Sequence, residues 1–452
     1  MAVKPANLIY GVDDKPPFKV SAILGLQHAF TMSSCLVFPV VVGREIGASF
    51  GEIQALVCFS MIAAGIGTIL QAIHKGPCGS GYLCPNLVAP SFLSFSIQAA
   101  WIGGLPLMFG MTFLSGVFEM IFATVANKLK KLFPAEITGL VVLMIAVSLV
   151  PLAASKFVGI DYEGDSINSH ELVIAAITLL SMIGFNIWGK GKLKLYCVIM
   201  GLGIGYFLSF TTGIISKNEL HVLMNTAWLS IPREVVHIFN LKFDWGLIFP
   251  VLIITLCQSV KTIGNIITCQ KINDASWSAP DMKNIGKGLI ADGLTTSLSG
   301  AVGGIATDTS ASNVGLSVAT SATSRRIAYF AGAIFAFMAF SPKITAIFSI
   351  MPRPIMGAIL IFAISFMVIS GIEILLSSKM DSRKTFVIGI SITFGLSAII
   401  LPDLYSRVPD WLNPIFSSSL TLSTILAIIL NQVFSIGHKK KALPEEPIQV
   451  SE

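Results

Sequence analysis

Long runs of apolar residues alternate with short polar stretches along almost the whole chain of 452 residues. A run of about 20 apolar residues is long enough to cross the hydrocarbon core of a bilayer as a helix. One run in each half of the chain is interrupted by Gly, Ser, Thr and Asn. With these two included, the pattern predicts fourteen transmembrane segments: 21–42, 50–73, an interrupted third, 105–127, 134–154, 171–188 and 193–212, then 245–269, 286–302, an interrupted tenth, 327–340, 354–370, 385–401 and 417–434.

The two interrupted segments are residues 76–98 and 299–326. Irregular backbone at membrane depth must line a cavity or pack inside protein, because lipid offers it no hydrogen-bond partner. The later segment predicts an extended run at 303–308, followed by a helix that begins near 310–313 and ends near Thr323. Ser and Asn favour such a helix start, since their side chains accept hydrogen bonds from its free N–H groups.

The earlier interrupted segment has the same arrangement, with a possible helix start at Pro90 and Ser91. Paired interruptions in corresponding halves are typical of transporters built from inverted repeats, with substrate bound between two half-helices. We therefore expect an all-α polytopic membrane protein with two inverted seven-segment repeats. Short extended stretches are expected in segments 3 and 10.

Composition supports a membrane protein. Hydrophobic residues make up 54% of the chain and charged residues only 12%, with a mean hydropathy of +0.80. Soluble domains carry roughly 25% charged residues. The seven cysteines are not spaced as metal ligands, and no phosphate-binding loop or catalytic constellation is present. We expect no enzyme activity, metal site or organic cofactor.

The basic residues predict the orientation of the chain. With a cytoplasmic N-terminus, 21 Lys and Arg residues fall on inward segments and 8 on outward ones, and Lys261 lies within a span. This excess follows the positive-inside rule. Residues 1–20 and the tail 435–452 are then cytoplasmic, and the linker 213–244 is extracytoplasmic. The basic loops account for the net charge of +6, so we expect no nucleic-acid partner. The expected location is a bacterial inner membrane, where the protein contacts lipid.

Most of the unusual polar residues lie in the spans that begin each half. This distribution predicts a core that holds substrate, residues 21–127 and 245–340, and a gate, residues 134–212 and 341–434.

Several motifs carry a family resemblance. They are GPCGSGYL at 76–83, GLQH at 25–28, LFPAEITGLVVLMIAVSLVP at 132–151, and the spacing of Asn313, Gly315 and Thr320. Together they resemble the nucleobase/ascorbate transporter family, also called nucleobase:cation symporter family 2, which includes uracil and xanthine permeases. The resemblance implies fourteen spans, core and gate domains, an elevator-like or rocking motion, and often a homodimer.

The chain departs from the family at four positions. Lys261 stands where many relatives carry Glu, which is the family's main base-binding and proton-linked residue. Asn265 replaces Asp or His, and Ser312 stands where relatives usually carry Gln or Glu that contacts the base. Ser321 follows Thr320 in place of the usual basic residue or Gly. These departures leave the expected fold intact and put the substrate in doubt.

Lys261 is the first candidate for substrate binding. A charge within a span costs at least ~2.5–3.5 kcal/mol unless it is paired or faces water. Lys261 could bind an anionic group of the substrate, or it could form an ion pair with Asp292 or Asp308. Either acid could also carry a coupling proton or help to hold Na⁺.

The other candidates surround the predicted helix starts. Ser91, Ser312, Asn313 and Asp308 would supply polar groups to a ligand, and Phe92 could stack on a flat ring. Three residues are expected in a polar core network with Asp292: His28, Gln258 and Asn265.

Two functions remain open. The first is H⁺-coupled transport of a nucleobase, an oxopurine such as xanthine or urate, or uracil. The second is transport of a small anion, such as a carboxylate, bicarbonate or sulfate, on the same fold. Lys261 favours the anion and the family resemblance favours the nucleobase, whereas a urate monoanion would satisfy both.

Overall fold

The computed structural model describes residues 4–132, 135–160, 167–190, 192–216, 221, 223–230, 240–376, 380–405, 408, 416 and 419–435. Its first half contains α1 Phe18–Ser33, α2 Val37–Glu45, α3 Phe50–Ala72, β1 Asn86–Val88, α4 Leu93–Leu132, α5 Ala135–Ser148, α6 Val150–Val158, α7 Ser169–Ile187, α8 Lys192–Leu195 and α9 Cys197–Thr211. Its second half contains α10 Ile248–Asn273, α11 Met282–Val302, β2 Thr307–Thr309, α12 Ala311–Ala319, α13 Arg325–Met338, α14 Pro342–Ser349, α15 Arg353–Leu376, α16 Ser382–Ile400 and α17 Ser419–Val433.

The helices identify a multi-pass membrane protein. Among the described residues, 8 helices are long and apolar enough to cross a bilayer, or 9 if α13 and α14, bent by 77°, form one span. Large apolar side chains such as Leu180, Phe207 and Phe366 point outward from the bundle. Such a surface suits lipid, which solvates apolar groups as well as a protein core does. The count of fourteen spans and the inverted repeat stay predictions.

The third and fourth predicted segments meet at a break in α4. Gly103 and Gly104 leave helical geometry there, and Gly104 has a φ of 71°. Glycine adopts this left-handed conformation without steric cost. Pro106 follows and lacks the N–H that a continuous helix would use. The break therefore separates a half-helix, which begins after β1, from the longer remainder of α4.

The tenth half-helix ends earlier than the sequence predicts. α12 stops at Ala319 rather than near Thr323, and Ser321 has a φ of 52°. The backbone N–H of Thr323 donates to the carbonyl of Tyr10 at 2.8 Å, and the carbonyl of Ser321 accepts from Ile9 at 2.9 Å. The N-terminal segment thus takes the backbone hydrogen bonds that a longer helix would have made.

Two groups of helices pack closely. In the first, α11 lies along α4, α3 and α10, and α13 lies against α3 and α1. In the second, α15 contacts α5, α6 and α7, while α16 pairs with α17. Small residues allow the closest contacts: a Cβ placed on Gly116 of α4 would lie 2.3 Å from the carbonyl oxygen of Gly293 in α11. Close backbone approach of this kind is typical of helix pairs in membranes.

Candidate functional site

The two interrupted segments meet at the strands β1 and β2, which pair antiparallel with Leu87 opposite Asp308. Each strand leads into a helix. Pro90 begins a short 3₁₀ turn before α4, and the Ser310 side chain caps α12 by accepting from the N–H of Asn313 at 3.2 Å. The structure therefore contains an extended stretch in each interrupted segment, although that of the later segment is Thr307–Thr309 rather than 303–308. We call β1, β2 and the helix starts that follow them the strand crossing.

An ion pair lies at the strand crossing. The Lys261 Nζ of α10 donates to Asp308 Oδ2 at 2.5 Å. The Asp308 side chain is 0% exposed, whereas that of Lys261 is 37% exposed. Asp308 Oδ1 has no protein donor. Of the two predicted partners for Lys261, the structure shows Asp308.

Asp292 belongs to a separate hydrogen-bond cluster. Its Oδ1 accepts from Asn86 Nδ2 at 2.5 Å, and its Oδ2 accepts from Thr262 Oγ1 at 2.6 Å. Asn86 is part of β1 and Thr262 is part of α10. Asp292 in α11 thus ties the first strand to the helix that carries Lys261.

Gln258 and Asn265 hold the second strand. Gln258 Nε2 donates to the carbonyl of Thr307 at 2.7 Å, and Asn265 Nδ2 donates to the carbonyl of Thr309 at 3.1 Å. These bonds satisfy carbonyl groups on either side of Asp308. They fix the position of β2 against α10, and a joint network of these residues with Asp292 stays a prediction.

His28 and Asn313 form a buried pair at the start of α12. The distance from His28 Nδ1 to Asn313 Oδ1 is 2.8 Å, and Asn313 Nδ2 donates to Ser310 Oγ at 2.9 Å. Because an amide oxygen only accepts, His28 Nδ1 carries the hydrogen. The Asn313 side chain is buried among protein partners, whereas Ser312 is exposed.

Ser91 and Phe92 lie at the other helix start. Ser91 Oγ is buried without a protein partner. Phe92 is fully buried and packs edge-on against Phe95, with ring centroids 6.1 Å apart. The structure therefore places Phe92 in the packing behind the strand crossing, and a stacking role for it stays a prediction.

The sequence reasoning missed three polar residues of this region: Asn86, Thr262 and Glu119. Glu119 is fully buried in α4, where Ser259 Oγ lies 3.1 Å from its Oε1. A carboxyl group within the predicted span 105–127 was the signal, because ionisable residues at membrane depth are expensive to bury. Asn86 and Thr262 gave only a weak signal, since uncharged polar residues are common in such segments.

A cavity of about 510 Å³ lies elsewhere, between α2, α6, α7 and α15, and shares no residue with the strand crossing. Of its charged lining residues, Lys156 pairs with Glu45 at 2.7 Å and Arg353 pairs with Glu171 at 3.0 Å, while Arg44 donates to the carbonyl of Ser349 at 3.1 Å. Volume alone does not mark a substrate site. The strand crossing is the better candidate because two helix starts and a buried ion pair converge there. Within the described part of the chain, no three His, Cys, Asp or Glu side chains could hold a metal ion together.

Comparison with known proteins decides the family. A family model with the description "Permease family", that of the xanthine and uracil permeases, matches residues 19–404. The chain belongs to nucleobase:cation symporter family 2. The protein CPE0397 of Clostridium perfringens is 29% identical over 428 residues, which cover 94% of this chain and 93% of that protein.

Other members of the permease family align just as completely. The xanthine permease XanP of Escherichia coli is 24% identical over 444 residues, covering 95% of each chain. The nucleobase transporter PlUacP of Paenibacillus larvae is 26% identical over 426 residues, covering 92% of this chain and 95% of that one.

Solved structures show the same fold in distant proteins. The transmembrane domain of a cyanobacterial bicarbonate transporter, BicA, superimposes with a TM-score of 0.55 at 13% identity, covering 92% of this chain and 98% of that one. Murine Slc26a9, an anion transporter in the inward-facing state, gives a TM-score of 0.59 at 10% identity, covering 94% of this chain and 69% of that one. These superpositions establish the fold of the permease. At such low sequence identity they do not indicate its substrate.

Proposed function

We propose that this permease is a secondary active transporter of nucleobases: an oxopurine such as xanthine or urate, or uracil. The full-length match to XanP and PlUacP carries the substrate class. The likeness to bicarbonate and other anion transporters concerns the fold alone, so the small-anion alternative is not favoured.

The proposed substrate site is the strand crossing. Lys261 is partly exposed beside the buried Asp308, so its ammonium group can reach a ligand without leaving its partner. The exposed Ser312 and the free N–H groups of α12 add donors. An oxopurine offers carbonyl oxygens and, as urate, a negative charge. The buried side chains of Asn313 and Phe92 and the buried Ser91 hydroxyl would support this surface from behind rather than contact the substrate directly.

The proposed cycle is alternating access coupled to H⁺, with Na⁺ as the other candidate ion. The helices that surround the strand crossing pack with one another, and α15 packs with α5, α6 and α7. This grouping supports a substrate-bearing core, 21–127 and 245–340, that moves against a gate, 134–212 and 341–434. We place the protein in a bacterial inner membrane with both termini cytoplasmic, as a homodimer.

Uptake into proteoliposomes tests the function. Purified protein should accumulate radiolabelled xanthine, urate or uracil when the outside is more acidic than the inside. Unlabelled nucleobase should compete, whereas bicarbonate, sulfate and acetate should not. The matched control pair is Lys261→Met, which should lose uptake, and Lys271→Met, which alters an exposed lysine on the same helix and should retain it. Uptake of a small anion without any nucleobase transport would refute the proposal.

A further inference from the structure

Glu119 is a buried carboxyl group that belongs neither to the ion pair of Lys261 and Asp308 nor to the hydrogen-bond cluster around Asp292. Its side chain is 0% exposed. No cationic side chain pairs with it in the described part of the chain, and its Oε2 has no protein donor. An ionised carboxylate in such surroundings is very costly, whereas a neutral carboxylic acid is tolerated.

The hydroxyl hydrogens around Glu119 support the neutral form. Ser259 Oγ lies 2.9 Å from the carbonyl oxygen of Thr255 and 3.1 Å from Glu119 Oε1. A hydroxyl group has a single hydrogen to donate. If Ser259 gives it to the closer Thr255 carbonyl, only a protonated Glu119 can complete the second contact by donating to Ser259 Oγ.

The other two buried acids nearby, Asp292 and Asp308, have partners that compensate a negative charge. Asp292 accepts from an amide and a hydroxyl, so both of its oxygens have donors as a carboxylate. Asp308 is neutralised by Lys261. Glu119 alone among these three has neither a cation nor two donors.

The helix packing places Glu119 close to Asp292 and to the ion pair of Lys261 and Asp308. Gly116, one turn before Glu119, meets Gly293, the neighbour of Asp292, at a backbone contact that no Cβ could enter. On the other side, Ser115 Oγ and Thr255 Oγ1 are 2.7 Å apart, so α4 and α10 are joined one turn from the contact between Glu119 and Ser259. The charged groups that act on Glu119 are Asp292 from α11 and Asp308 from β2, and Lys261 from α10 pairs with Asp308.

We infer that Glu119 is the proton-binding residue of the transport cycle. The carboxylic acid holds one proton in the conformation described here and releases it as H⁺, leaving a carboxylate, when movement of the helices opens Glu119 to the other side. This inference rests on the proposed function. It gives this chain a proton carrier in α4, apart from the ion pair of Lys261 and Asp308.

Infrared spectroscopy tests the bound proton without any transport. The reconstituted wild-type protein at neutral pH should show the C=O band of a protonated, buried carboxyl group, and Glu119→Gln should lose it. Glu171→Gln is the matched control, because Glu171 is also buried but pairs with Arg353 at 3.0 Å. That variant should keep the band. A band that persists in Glu119→Gln overturns the inference.

Transport tests the coupling. With one proton per substrate, a gradient of one pH unit supports roughly tenfold accumulation of a neutral substrate. Glu119→Gln should still exchange labelled for unlabelled substrate across the membrane, but its accumulation ratio should fall to about one. A purely structural role for Glu119 predicts loss of exchange and accumulation together, with a lower melting temperature, and that result also overturns the inference.

The two proposals fail in different ways. A wild-type protein that neither exchanges nor accumulates any nucleobase refutes the proposed function, and the infrared band still decides whether Glu119 holds a proton. Nucleobase transport by wild type together with undiminished accumulation in Glu119→Gln supports the function and refutes the role of Glu119.

Discussion

Replacement of Lys261 by methionine should destabilise the protein because it leaves the Asp308 carboxylate without its cation. Asp308 is 0% exposed and the distance between Lys261 Nζ and its Oδ2 is 2.5 Å. Removing one partner of a buried pair costs ~3–5 kcal/mol. Since the Lys261 side chain is 37% exposed, we expect a cost at the low end, about 3 kcal/mol.

The double variant Lys261→Met with Asp308→Asn separates the ion pair from the substrate contact. Asparagine is neutral and has the same shape as aspartate, so the uncompensated charge disappears. Most of the lost stability should therefore return, although nucleobase uptake should not, because the ligand still lacks the ammonium group. The difference between the double variant and the sum of the single ones measures the coupling between the two side chains.

Unfolding of detergent-solubilised protein, followed by tryptophan fluorescence during denaturant titration, would give the free energies. Lys271→Met is the control, because surface substitutions usually change stability by less than about 0.5 kcal/mol. A Lys261→Met protein as stable as wild type would show that the ion pair contributes nothing. A double variant no more stable than Lys261→Met would show that the loss has another cause.

Three further predictions concern the helix start, the helix packing and the topology. Asn313→Ala should abolish transport and lower the unfolding free energy by about 1–3 kcal/mol, since His28 Nδ1 loses its buried acceptor, while membrane insertion persists; normal uptake would contradict this. Gly116→Ala should cost about 1–3 kcal/mol through its clash with Gly293, whereas Gly264→Ala, which meets open space, should be neutral or stabilising in thermal melting. Reporter fusions at Lys192 and Arg326 should report the cytoplasm, and an external signal at either position would break the count of fourteen spans.

The membrane class and the two interrupted segments follow from the sequence because they depend on local composition. An apolar run long enough to span the membrane can be recognised without knowing which segments it packs against. Gly- and Ser-rich interruptions at membrane depth must be enclosed by protein wherever they occur. The cap at Ser310 and the helix start at Pro90 are equally local. These features could therefore be predicted close to their observed positions.

Boundaries that depend on distant segments could not be predicted. The helix α12 ends at Ala319 because Tyr10, more than 300 residues away, forms backbone hydrogen bonds with Ser321 and Thr323. The sequence contains no local sign of that contact.

The partners of the buried charges were decided by tertiary structure. Lys261 could have paired with Asp292 or Asp308, because both acids lie in neighbouring polar regions of the sequence. The packing of β1 and β2 against α10 brings Asp308 into contact with Lys261. Asp292 instead accepts hydrogen bonds from Asn86 and Thr262. The sequence by itself thus determined which residues are costly to bury at membrane depth. Only the packing of helices and strands determined which of them neutralise one another, because charge compensation acts over a few ångströms between residues far apart in the chain.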